Sequence, residues 1–159
     1  MTTSTHETEI IADPKVPLVR IIREFDAPPE KVFRAHTDPE LLVQWLGPRR
    51  LEMRIDHHDC RTGGSYRYVH VGDGNEFGFH GCFHEVRPSE LIVQTFTFEG
   101  EPDGVALERL LFDDLGDGRT RLTATSLVDS FEARDAVLAS GMEDGVRQSY
   151  ERLDELLAS

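Results

Sequence analysis

The sequence predicts an α+β fold in which a strongly curved, seven-stranded antiparallel sheet wraps around a long C-terminal helix, with two short helices after the first strand. Three observations lead there. The hydrophobic period changes from helical to alternating at Leu51 and returns to helical at Ser140. Closely spaced turn signals at 62–64, 72–74, 87–89, 100–104 and 116–118 cut the alternating stretch into strands joined by short loops, as an antiparallel meander requires. The last segment places Met142, Val146, Tyr150, Leu153, Leu156 and Leu157 at steps of three and four, one apolar stripe able to cover a sheet face.

Taken in order, residues 1–17 are polar and short of aromatics and are expected to form a flexible leader, with a single domain over 18–159. Val19, Ile21, Ile22 and Phe25 make a β-branched and aromatic run, the first strand, which Ala27-Pro28-Pro29 stops. A short helix follows over 30–37, with Val32, Phe33 and His36 at helical spacing and the prolines suited to its first turn. Asp38 can cap a second helix with Pro39 at its first position, and Leu41, Leu42, Trp45 and Leu46 mark its apolar face before Gly47-Pro48 ends it. Six strands are expected at 51–57, 65–71, 77–86, 91–98, 106–115 and 120–127. A weaker helical segment covers 130–139, and Ser140 opens the long final helix with Glu143 placed for a capping box.

Composition narrows the function classes. In 159 residues, 17 Lys and Arg stand against 30 Asp and Glu, a net charge of −13 that repels phosphate backbones and anionic lipid. General nucleic-acid or membrane-surface binding is therefore not expected. With 38% hydrophobic and 30% charged residues, the chain has enough apolar content for a packed core. Cys60 and Cys82 are too few for a disulfide framework and do not form a C-x-x-C spacing, so a reducing cytoplasm is the expected location. No secretory signal opens the chain, and no apolar run approaches the ~18 residues needed to cross a bilayer, so no membrane insertion is expected.

Five segments, in order, carry a family resemblance: Arg23-Glu-Phe-Asp-Ala-Pro-Pro-Glu-Lys-Val-Phe33, Asp38-Pro-Glu-Leu-Leu-Val-Gln-Trp-Leu-Gly-Pro48, Arg61-Thr-Gly-Gly-Ser-Tyr-Arg-Tyr68, Gly81-Cys-Phe-His-Glu-Val86 and Ser140-Gly-Met-Glu-Asp-Gly-Val146, with Arg152-Leu153 beyond. The chain resembles the family grouped with the activator of the heat-shock chaperone 90 ATPase, within the START-like or polyketide-cyclase-like (SRPBCC) helix-grip superfamily. The resemblance covers nearly all of 19–157. It implies a helix-grip fold, whose members include lipid carriers, aromatase/cyclases, hormone receptors, antibiotic-sequestering proteins and chaperone cofactors.

Candidate site residues come from the strand pleat. Phe77, Phe79 and Phe83 share one face with Gly81, as do Tyr66 and Tyr68 on the preceding strand and Phe96 and Phe98 on the following one. These aromatics either form the core under the last helix or line an apolar pocket. The mid-strand Gly78 and Gly81 suggest space beside them. The expected ligand-binding set is Trp45, Tyr66, Tyr68, Phe79, Phe83, Phe96, Phe98, Phe112, Met142, Val146 and Tyr150, with Trp45 near one end. Glu85 and Glu108 are strand carboxylates that would become pocket acids if turned inward, where burial raises the pKa toward catalytic use.

Seven histidines raise the question of a metal, above all His57, His58, His70, His80 and His84 near Asp59, Cys60 and Cys82. Residues four apart on a strand stand ~13 Å apart, however, and no helical H-x-x-x-H or H-E-x-x-H spacing exists, so no metal site is expected. Nucleophile elbow, phosphate loop and dinucleotide fingerprint are all missing, and no cofactor or catalytic residue is assigned. The expectation is a binding protein for a hydrophobic or aromatic small molecule or lipid, more a binder than an enzyme. An aromatase/cyclase-like enzyme is the alternative, and the resemblance implies a chaperone ATPase-activating cofactor as a third.

Overall fold

The computed structural model of the protein describes residues 6–159. Its elements are β1 (Glu9–Ala12), β2 (Leu18–Phe25), α1 (Pro29–Thr37), α2 (Pro39–Leu42), β3 (Glu52–His58), β4 (Ser65–Gly72), β5 (Asn75–Arg87), β6 (Leu91–Phe98), β7 (Ala106–Gly116), β8 (Arg119–Leu127), α3 (Phe131–Ala139) and α4 (Met142–Ala158). The strands form one antiparallel sheet in the order β1-β2-β8-β7-β6-β5-β4-β3. From β3 to β8 the chain is the expected meander. Helices α1 and α2 carry it from β2 across to β3 at the far edge.

The fold is the α+β helix-grip, with an eighth strand. Strand β1 lies inside the stretch expected to be a flexible leader and pairs with β2 from Glu9↔Ile22 to Ala12↔Val19. Two β-branched residues, Ile10 and Ile11, supply its propensity. The Asp13 carboxylate then accepts hydrogen bonds from the Lys15 and Val16 amides at 2.8 and 3.1 Å, a side-chain turn that sends the chain back into β2. Residues 1–5 of the expected leader lie outside the described residues.

Curvature brings opposite flanks of the sheet onto one helix. Val19, Ile21 and Phe25 of β2 share a core with Tyr66 and Tyr68 of β4, and both groups pack with Tyr150, Leu153 and Leu157 of α4. Register shifts at Ile55/His57, Phe83/Glu85 and Asp114/Gly116 mark bulges that bend and twist the strands. Burial alternates residue by residue along β2 and β4, so one face of each strand looks into this core.

Local capping follows the sequence with one exception. Asp38 caps α2 by accepting from the Glu40 amide, and the Ser130 hydroxyl accepts from the Ala133 amide to cap α3. The Ser140–Glu143 capping box does not form. The Ser140 hydroxyl donates to the Val137 carbonyl and closes α3, leaving Gly141, at φ +87°, to make the left-handed turn into α4. Helix α2 also stops at Leu42, short of Trp45. The indole sits on the following turn, and its N–H donates to the Ala35 carbonyl at 2.9 Å, tying that turn to α1.

Candidate ligand cavity

On α4 the residues facing the sheet change in size along the helix. Tyr150, Leu153 and Leu157 are buried, whereas Met142, Gly145 and Val146 are only partly covered. A Cβ built on Gly145 would meet no atom within 4 Å. The small side chains leave a cavity of about 250 Å³ between this part of α4 and the sheet. Tyr68, His70, Phe77, Phe79 and Phe96 form its sheet wall, Met142, Gly145, Val146 and Ser149 its helix wall, and Leu46, Gly47, Pro48 and Leu51 its rim.

The wall is an aromatic row across three strands. Tyr68 stacks on Phe79 and Phe79 on Phe96 (centroids 5.3 Å apart in each pair), and Tyr66, outside the lining, continues the row behind Tyr68 at 6.0 Å. The rim is fastened to α4. The Ser149 hydroxyl accepts from the Gly47 amide at 2.8 Å while donating to the Gly145 carbonyl, and the Arg152 guanidinium donates to the carbonyls of Gly47 and Gln44. Ser149 and Arg152 thus hold the loop at the cavity mouth in one place.

Of the expected ligand-binding residues, the cavity brings together Tyr68, Phe79, Phe96, Met142 and Val146. The remainder are placed elsewhere. Trp45 is 2% exposed, stacked on Tyr150 and edge-on to His36, and Tyr150 is also edge-on to Phe25. Phe112 packs against Phe33 and His36 beneath α1. Phe83 is buried against His58 and Tyr66, and the Phe98 ring lies over Gly100. Trp45, Tyr150, Phe112 and Phe83 are buried where the concave face is filled, and Phe98 packs partly exposed on Phe77 and Phe79 beside the cavity, distinctions strand alternation cannot make because filled and open parts share one face.

The glycine argument for space is corrected. A Cβ on Gly81 would stand 2.0 Å from the Thr95 carbonyl oxygen and 2.6 Å from the Tyr66 hydroxyl. The missing side chain is the passage through which Tyr66 donates to Thr95 O at 2.6 Å. At Gly78 the corresponding position is taken by the Glu99 carboxylate, which a bidentate Arg67 and the His80 ring hold on the outer face. These two partners lower the Glu99 carboxyl to about 2, chiefly through the Arg67 hydrogen bonds and then through His80. The glycine that opens space is Gly145, on the helix.

Two polar groups mark the interior. His70 is 6% exposed, edge-on to Tyr68 and Phe79, and its Nδ1 has no hydrogen-bond partner among the described residues. Burial, then the nearby Arg152 charge, pushes its pKa down, so the ring is neutral in the cavity wall. Glu108 is turned inward, between Ala106 and Leu110 on the concave face of β7. Cross-strand neighbours Gln94 and Ser126 flank it, and the Gln94 amide donates to its Oε1 at 3.0 Å. Burial raises the Glu108 carboxyl to about 7, with the Gln94 and Ser126 hydrogen bonds restraining the rise. Glu85, the other strand carboxylate, is instead paired with Arg87 and Thr62.

A larger hollow, about 400 Å³, lies at the β1–β2 side and is lined by His6, Glu7, Glu9, Ile22, Arg23, Glu24 and Arg121. Its wall is polar and charged, and Arg119 and Arg121 already neutralise Glu24 there. It lacks the aromatic surface that recognises an apolar ligand. Among the described residues, no three His, Cys, Asp or Glu side chains meet in an arrangement that could hold a metal ion.

The profile of the family described as Activator of Hsp90 ATPase homolog 1-like protein matches residues 26–158. The chain belongs to this family. Within the Hsp90-activator-homologue family's fold, a Rhodobacter sphaeroides protein of known structure is similar to it at 30% identity, over 94% of this chain and 97% of that one, with a TM-score of 0.84. A Mycobacterium smegmatis protein is similar at 27% identity, over 94% and 96% of the two chains, with a TM-score of 0.85. An Arthrobacter aurescens protein solved in solution gives 27% identity over 94% and 91%, with a TM-score of 0.86. The curated proteins give no match. The architecture is that of an SRPBCC domain, a fold commonly used to bind small molecules, and among the described residues no helix is long and apolar enough to cross a membrane.

Proposed function

We propose that this protein binds a hydrophobic or aromatic small molecule or lipid in the cavity between the sheet and α4, as a cytoplasmic carrier or receptor. The observation that carries the reading is the helix face itself. Gly145, in the first turn of α4, stands opposite a stacked aromatic wall with open space where its side chain would be. A helical glycine costs stability relative to alanine, so the space it leaves serves something other than packing. The free thiols of Cys60 and Cys82 accord with a reducing compartment.

Gly145→Leu tests this directly. Leucine favours the helix and its side chain enters the cavity without meeting backbone, so the variant should stay folded and lose the site. A neutral, environment-sensitive apolar dye should saturate the native protein at one-to-one stoichiometry and fail to bind Gly145→Leu. Equal dye binding by the two proteins, or no saturable site in the native one, overturns the reading. The aromatase/cyclase-like alternative draws on Glu108, an inward-facing, half-buried acid whose raised carboxyl is available for proton transfer. Turnover of a poly-β-keto substrate that Glu108→Gln abolishes would establish that alternative.

A further inference from the structure

We propose that Glu108, with Gln94 beside it and Tyr66, Tyr68 and Tyr150 around it, recognises the cationic head of an amphiphilic ligand: a protonated amine carried on an aromatic or aliphatic body. The inference rests on the cavity's being a ligand site and names the chemistry of what enters it.

The position comes from register. Phe96 lines the cavity, Gln94 lies two residues along β6 on the same face, and Gln94 pairs with Glu108, so the carboxyl stands on the concave face one cross-strand row from the cavity wall. Tyr68 belongs to both places: it lines the cavity, and the Glu108 charge acts on its phenol. That charge also acts on Tyr66 from β4 and Tyr150 from α4, where together with burial it drives the phenol pKa upward and keeps the rings neutral. Phe83, Gln94 and Ser126, the neighbours in the same cross-strand row, bring no charge. Gln94 and Ser126 can support the carboxylate but cannot neutralise it.

A half-buried, inward-facing carboxyl that has no cationic partner among the described residues is a cost to the fold, and packing alone would favour an apolar residue there. An entering ammonium supplies the missing partner. Phe79 and Phe96 in the cavity wall receive its apolar body. The chain's charge of −13 raises the local concentration of cations and opposes anions, so a fatty-acid carboxylate would meet repulsion both outside and beside Glu108.

Calorimetric titration with naphthylethylamine, naphthylethanol and naphthylacetate, matched in body and differing in head charge, tests the assignment. At pH 8 the native protein should bind the amine at least tenfold more tightly than the alcohol, with the acid weakest. Amine affinity should fall severalfold on going to pH 5.5 as Glu108 takes up a proton, while alcohol affinity stays level. Glu108→Gln, nearly isosteric, should erase both the amine preference and the pH dependence and keep alcohol binding. Alcohol binding without amine preference, or an amine preference that survives in Glu108→Gln or is flat with pH, overturns this inference and leaves the cavity reading standing. If no member of the series binds and the dye also finds no site, the cavity reading falls and takes this one with it.

Discussion

Toward the C-terminal end of α4, Tyr150, Leu153 and Leu157 are buried among Phe25, Trp45 and the apolar face of α1, whereas toward its N-terminal end Met142, Gly145 and Val146 face the stacked row of Tyr68, Phe79 and Phe96 across open space. The sheet offers aromatics to both ends, so the aromatic face does not decide which end is filled. The helix side chains decide it, together with α1 and the Trp45 turn, which cover only one end. The closed end is also pinned by charge: Arg23, 3% exposed, makes a two-bond ion pair with Asp154 on α4, and its second partner is the Glu24 carbonyl. At the open end the corresponding ties run to the rim loop and leave the space beneath it free.

The contrast is sharpest for truncations of similar chemistry. Leu153→Ala, at a fully buried position, should cost about 2–5 kcal/mol in denaturant unfolding, while Val146→Ala at the partly covered cavity wall should cost less than about 1 kcal/mol. Equal costs would mean that the two ends are packed alike. The partly covered place of Val146 in the cavity wall makes Val146→Asp tolerable to the degree that the carboxylate can hydrate there, at about 1–2 kcal/mol.

Glu108 makes a pH test of the same boundary. Its carboxyl rises in the fold from 4.5 to about 7, so between these values the folded protein binds more protons than the unfolded chain, and stability falls as pH rises through the window. The full effect is roughly 3 kcal/mol, and Glu108→Gln should remove it. His36, whose burial lowers it to about 4, acts in the opposite sense and loses stability as pH falls from 6.5. The quantity to measure is therefore the difference between native protein and variant, which should grow in the variant's favour from pH 4 to pH 8. A difference independent of pH would place Glu108 in water. The smallest effect is Gly145→Ala: a methyl group in open space with a better helix former should stabilise by roughly 0.5–1 kcal/mol, and a loss of melting temperature would show that the helix wall is tighter than described.

Much of this was legible in the sequence. The change of period at Leu51 and Ser140 located the meander and the last helix, and the turn signals placed its strands within a few residues. Strand β1 escaped because two isoleucines among polar residues are too short a pattern, and its pairing depends on the turn at Asp13. Inward glutamate was legible only as a choice between Glu85 and Glu108, which the alternation of β7 and the Arg87 partner of Glu85 resolve. The cavity residues were half legible. A strand's pleat tells which face a ring is on, but whether that face meets bulk or a gap depends on the helix crossing it, and hence on Gly145, which reads in sequence only as a weak point in an amphipathic stripe.

Because the sheet is open, among the described residues β1 and β3 each present an unpaired margin of backbone amides and carbonyls, the geometry on which a second chain can add a strand. Both margins are poor templates. Strand β1 is four residues long and runs directly into Asp13-Pro14, and β3 is interrupted by its bulge between Ile55 and His57 and carries Arg54 and Asp56 along its length. A protein that keeps an apolar chamber beneath a curved sheet thus also keeps that sheet from growing sideways into an assembly, by brevity at one margin and by irregularity and charge at the other.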